Sequence, residues 1–296
     1  MMETRLASIG RFGALLTLVV VAASVLLRLG TSLDAGGNAS STLPAPIEAG
    51  VRLTHRIAAS AVALLALAAA YFVARARPIP RARLGAAVSI VLLTAFLATI
   101  GRYTTGYSLP WVTVGNVAGG MALACAFWWL REASSNAEPT VDRHTRFARF
   151  TLAAVLVHAA MGALADAMAI RGTVSLDPLH IAFGPLVVAV VVVAALRNLD
   201  RGRGIAALVA ALAVTQLALG MALAATGARS IIAGWPHAMI AGILGLGLVG
   251  LASPCAQARP CVRCHARGIL RVSCNEVNST CPRSATTTSA KTFAGS

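Results

Sequence analysis

Eight apolar runs, each close to the length that crosses a hydrocarbon layer, constrain this chain more than any other feature. They fall at residues 9–30, 53–74, 84–101, 109–130, 150–170, 178–196, 204–226 and 231–252. A spanning helix needs about 20 mostly apolar residues, so each run is a candidate span. Only 12% of the residues are charged and 57% are hydrophobic, whereas a soluble domain carries about 25% charged residues. Lipid is therefore the expected solvent for most of the chain. The first run has no A-x-A-type cleavage site before Asp34 and is long enough to span, so it reads as a retained helix rather than a cleaved signal. The expected fold class is an all-α integral membrane protein with eight transmembrane helices.

The formal charge is +15, from 24 Arg and one Lys (Lys291) against ten acids. In a soluble chain this balance would suggest nucleic acid. Here the cations sit in short loops between apolar runs, where they set orientation, so membrane lipid is the expected partner and nucleic acid is not. Arg5, Arg11, Arg75, Arg77, Arg81, Arg83, Arg131, Arg143, Arg146, Arg149, Arg197, Arg201 and Arg203 make thirteen in the N-terminus and alternate loops. Arg28, Arg52, Arg102, Arg171 and Arg229 make five in the others. The positive-inside bias places both termini in the cytoplasm of a multi-pass inner (plasma) membrane protein.

The longest polar connection, Arg131 to Arg149, divides the spans four and four. The expected units are a first four-helix half at 1–131, a cytoplasmic linker at 132–149, a second four-helix half at 150–253 and a Cys/Arg-rich tail at 254–296. The halves can be overlaid. His55 stands at the start of span 2 and His180 at the start of span 6; Thr105-Gly106 precedes Asn116 by the interval at which Thr226-Gly227 precedes His237. Matching polar positions in two four-helix halves point to a tandem, duplicated bundle.

An ionisable residue inside a span is costly and marks a functional site by default. Under this topology His55, Asn116, His180 and His237 all lie near the outer ends of spans 2, 4, 6 and 8. Two imidazoles on facing helices of a four-helix bundle can ligate one heme iron. For the pair His180 and His237, that reading outweighs simple placement at the water interface. For His55 the two readings are balanced. Asn116, whose amide is a poor iron ligand, is better read as a helix-to-helix hydrogen bond. His158 reads as a core residue bonded across helices, and His144 as a solvent-exposed residue of a cytoplasmic loop.

The eight-span plan, its two halves and the histidines at the heads of even-numbered spans resemble the heme A synthase family, which serves cytochrome oxidase assembly. The resemblance runs from about Gly10 to Ala252 and is carried by LTHRIAAS (53–60), TIGRYTTGYSLPWVTVGN (99–116), DPLHIAFGP (177–185) and LALGMALAATGARSIIAGWPH (217–237). It implies that His180 and His237 hold heme b, and that His55 faces heme O, one of whose ring methyls is oxidised to the formyl group of heme A. It also implies heme O synthase and cytochrome oxidase assembly factors as partners. Three departures stand out. Asn116 replaces the family's fourth His, Arg52 stands where an acid is usual, and no paired Cys occurs between Gly30 and Val51. With His55, Asn116 and Arg52 as the candidate catalytic set, the resemblance implies heme binding in the second half more strongly than heme A synthesis in the first. The alternative function is a non-catalytic, bis-His heme b or electron-transfer membrane protein. A small-solute transporter is disfavoured, because no pair of spans is broken by Gly or Pro at mid-depth.

The tail holds five of the six Cys, six basic residues and one acid, and reads as disordered. Cys261-Val262-Arg263-Cys264-His265 matches a c-type heme attachment motif, but the topology puts it on the cytoplasmic side, so a fortuitous match is the first reading and metal binding the second. Cys125, within span 4, reads as ordinary packing.

Overall fold

The computed structural model describes residues 2–33, 39–76, 78–104, 109–134, 143–170, 177–226 and 231–253. Among them are eight α-helices: α1 (Met2–Leu29), α2 (Ala45–Arg75), α3 (Arg81–Ile100), α4 (Pro110–Ala133), α5 (Arg143–Ile170), α6 (Asp177–Arg197), α7 (Leu199–Thr226) and α8 (Ile231–Leu251). Each is long and apolar enough to cross a membrane. Large apolar side chains face outward on them, including Leu64 at 68% exposure, Leu92 at 64% and Phe150 at 63%, a surface that lipid rather than water accommodates. The chain is an all-α multi-pass membrane protein. Its strand content among the described residues is one short antiparallel ribbon, in which β1 (Thr31–Leu33) pairs with β2 (Ala39–Ser41) between α1 and α2.

Three helices begin well before their apolar runs, α1 among them, which starts at Met2 rather than at 9. α2 starts at Ala45 rather than at 53, since its first turns are polar enough to escape a hydropathy reading; Glu48 and Arg52, one turn apart, pair there at 2.5 Å. α5 starts at Arg143 rather than at 150 because Thr145 and Ala148 are buried. α4 runs to Ala133, and residues 135–142 of the expected 132–149 linker lie outside the described residues. His144 is thereby corrected: it sits in the first turn of α5, half-buried, with its Nδ1 enclosed, not in an exposed loop.

Two apolar cores organise the packing. One gathers Leu6, Val73, Ile90, Phe127 and Leu130 from α1 to α4, with Leu246 and Val249 of α8. The other gathers Val155, Val191, Val209 and Leu248 from α5 to α8, with Met121 of α4. In the first set α1 and α3 each pack between α2 and α4; in the second, α5 and α7 each pack between α6 and α8. α4 and α8 also pack on each other, and α1 packs on α8.

Three polar or close contacts pin this arrangement. The buried Arg83 donates from Nη2 to Glu3 Oε1 at 2.9 Å and from Nε to the Ala133 carbonyl at 3.0 Å, tying the starts of α1 and α3 to the end of α4. Arg28 and Asp166 join α1 to α5 in an ion pair of 2.7 Å. Gly10 brings α1 onto α4 so closely that a Cβ there would lie 2.6 Å from the Arg131 nitrogen and the Phe127 carbonyl oxygen.

Candidate functional site

Three histidines gather among α5 to α8. His180 lies in the first turn of α6, behind Asp177-Pro178, a start that suits Pro because the first turn has no use for its missing N–H. Its ring stacks on that of His158 from α5, with centroids 4.2 Å apart and planes 15° from parallel. Glycine makes the approach possible. A Cβ at Gly162, one turn beyond His158, would lie 2.7 Å from Cε1 and 3.0 Å from Nε2 of His180. Gly184, one turn beyond His180, faces the His158 ring, where a Cβ would stand 3.9 Å away. The two helices thus exchange a His and a Gly reciprocally.

His237 follows Pro236 in α8, and its ring leans on α7 instead. Gly220 leaves room for it, with a would-be Cβ 3.2 Å from Cε1. One turn earlier on α7, the Gln216 amide nitrogen lies 3.1 Å from His237 Nε2. α8, which carries His237, packs against both α5 and α7. His158 Nδ1, His237 Nδ1 and Gln216 Oε1 are buried without a hydrogen-bond partner. Unmet buried polar atoms are uncommon in folded proteins and call for an explanation such as a ligand. No group of three or more His, Cys, Asp or Glu placed to hold a bare metal ion occurs among the described residues. Heme iron asks for less, since the porphyrin supplies four ligands and the protein two.

The other candidates lie apart from this cluster. His55 sits in α2 with Nδ1 3.2 Å from the Val20 carbonyl of α1. A carbonyl only accepts, so Nδ1 carries the proton and the ring lone pair is on Nε2. Beside it, Val51 and Thr54 of α2, Ala22 and Leu26 of α1 and Trp235 of α8 line an apolar groove of about 400 Å³. Trp235 borders it and donates from Nε1 to the Ala22 carbonyl at 3.1 Å. Arg52 is committed to Glu48, with Nε donating to Oε1 at 2.7 Å. Asn116 is half-buried on α4 and has no hydrogen-bond partner among the described residues, so the expected bond across helices is not found. α2 and α4, which carry His55 and Asn116, are held apart by α1 and α3. Cys125 is buried on α4 against Gly245 of α8, as packing requires. The C-x-x-C-H motif, the rest of the tail from Pro254 and the Thr105-Gly106 pair lie outside the described residues.

Gln216 and the stacking partner His158 are the residues that reading the sequence did not assign to the site. A signal for them exists: His158-x3-Gly162 (HAAMG), His180-x3-Gly184 (HIAFG) and Gln216-x3-Gly220 (QLALG) repeat one spacing. Each places a polar ring or amide and a gap on one helix face, a turn apart.

Neither a scan against protein-family models nor a search of curated proteins finds a match to this chain. The functional reading therefore rests on the chemistry of the site.

Proposed function

We propose that this chain is a heme-binding membrane protein of the heme A synthase type, with heme b held by His180 and His237 in the second half and heme O received as substrate beside His55 in the first. The observation that carries the reading is the cluster of three imidazoles on α5, α6 and α8, with glycine-made space around each and two ring nitrogens left without partners. His180 and His237, on helices that α5 and α7 separate, would together hold the heme iron. Heme b, when bound, supplies one-electron chemistry whose potential its axial ligands set. His237 would hold the heme through Nε2, the nitrogen that the Gln216 amide faces at 3.1 Å.

In the first half, the Val20 carbonyl fixes the His55 tautomer that presents Nε2, as a backbone acceptor commonly does for a ligating histidine. The apolar groove beside it suits a lipid-like ligand. Oxidation of a ring methyl of heme O to the formyl group of heme A would serve cytochrome oxidase assembly, with heme O synthase upstream. A second, non-catalytic reading keeps only the bis-His heme b. It is favoured by Asn116, which offers an amide where an imidazole would ligate, and by Arg52, whose guanidinium is already paired with Glu48. A transporter is not favoured: α6 and α8 run helically through Pro185 and Pro236, so neither has the unwound mid-membrane segment such sites use.

The absorption spectrum of the purified full-length protein tests the core of the reading. Sharp reduced bands of a six-coordinate heme are expected, and a protein that carries no heme after expression with ample heme supply would overturn it. The catalytic half is tested by co-expression with a heme O synthase in cells lacking their own heme A synthase, followed by chromatography of the extracted hemes. Heme A is the product expected of the enzyme; heme O alone beside heme b would assign the non-catalytic role. The proposed orientation, with both termini cytoplasmic in the inner membrane, predicts that a reporter fused after Ala252 is active only in its cytoplasmic form. Activity of a periplasm-dependent reporter there would overturn it.

A further inference from the structure

We infer that His158 is a positioning residue for His180, fixing the plane of that imidazole so that it meets iron in one orientation. This rests on the heme reading above and adds to it a residue of α5, a helix that supplies no ligand. The geometry is a face-to-face stack, 4.2 Å between centroids and 15° between planes. Rotation of the His180 ring about its Cβ–Cγ bond would drive its edge into the His158 face on one side. At the ring edge that carries Cε1 and Nε2, α5 comes so near at Gly162 that a Cβ there would lie 2.7 and 3.0 Å from those atoms. His180 is therefore gripped by α5 at one face and one edge. Gly184 of α6 faces the His158 ring in turn, where a Cβ would stand 3.9 Å away, and the His158 Nδ1 makes no hydrogen bond among the described residues. A histidine retained for a polar bond would show one at this nitrogen, whereas one retained for its planar face need not. Groups that orient a ligating imidazole act on affinity and electronic structure without touching the metal.

The test uses the full-length protein purified with its heme, compared with His158→Ala, His158→Phe and His158→Leu. In His158→Ala the grip is gone, so heme retention falls by about 10- to 100-fold, and the low-spin electron paramagnetic resonance signal of the remaining heme broadens as the His180 ring samples several planes. His158→Phe, which restores a flat face of similar size, returns both towards wild type; His158→Leu, which fills the volume without a face, does not. Equal recovery by Leu and Phe, or a wild-type signal and retention in His158→Ala, overturns the positioning role while leaving the heme reading intact. Absence of heme from the unaltered protein overturns the heme reading and this inference with it.

Discussion

Replacing either His180 or His237 with Ala should abolish the six-coordinate heme b spectrum, leaving high-spin bands or no heme at all, with bound heme down at least about tenfold. Under the proposed function each substitution would remove one of the two imidazoles that hold heme b, and among the described residues none is shown to replace His237. Its neighbour Gln216 offers only an amide 3.1 Å from the vacated position. In His180→Ala the stacked partner His158 remains on α5; a weak five-coordinate heme is the expected residue of binding. His55→Ala serves as the control, because His55 lies on α2 against Val20 of α1, away from the cluster, and should leave the second-half bands unchanged. Reduced-minus-oxidised spectra normalised to protein, with heme content measured on the same samples, decide the matter. Wild-type bands in both single variants would remove His180 and His237 as ligands.

A methyl group at position 10 should destabilise the protein more than any other single addition of its size discussed above. The Cβ of Gly10→Ala would lie 2.6 Å from two backbone atoms of α4, the Arg131 nitrogen and the Phe127 carbonyl oxygen. Backbone cannot step aside as a side-chain tip can, so α1 must move away from α4. That motion loosens Phe127, which is wholly buried in the first core and also faces Gly13. Overpacking of this kind costs about 1–3 kcal/mol, and the upper part of that range applies when the obstacle is a neighbouring helix axis. Gly50→Ala provides the contrast: no atom lies within 4 Å of a Cβ there, and Ala gains up to about 1 kcal/mol over Gly in a helix. Thermal unfolding in detergent followed by helical circular dichroism should give a lower midpoint for Gly10→Ala and an equal or higher one for Gly50→Ala. Equal midpoints for Gly10→Ala and the parent would refute the close α1–α4 approach.

What the sequence by itself determined is the number, order and approximate ends of the helices. An apolar run of about 20 residues has one economical solution in lipid, a helix that satisfies its own backbone. Thus α3, α6 and α8, which are apolar nearly from end to end, lie within about three residues of their expected limits. The polar first turns of α2 and the buried first turns of α5 were not legible, because hydropathy registers the middle of a helix and packing decides its ends. The positions of His180 and His237 at the heads of α6 and α8 could be read directly, as could the H-x3-G spacing that leaves room for the rings. Which way each ring turns could not. These helices are apolar on every face, so no amphipathic stripe distinguishes the side toward a neighbour from the side toward lipid. Only the packing of α5 on α6 and of α7 on α8 sends His180 to His158 and His237 to Gln216. In lipid the choice of inner face falls to close fit and the few polar groups, because apolar burial no longer discriminates among the faces of an apolar helix.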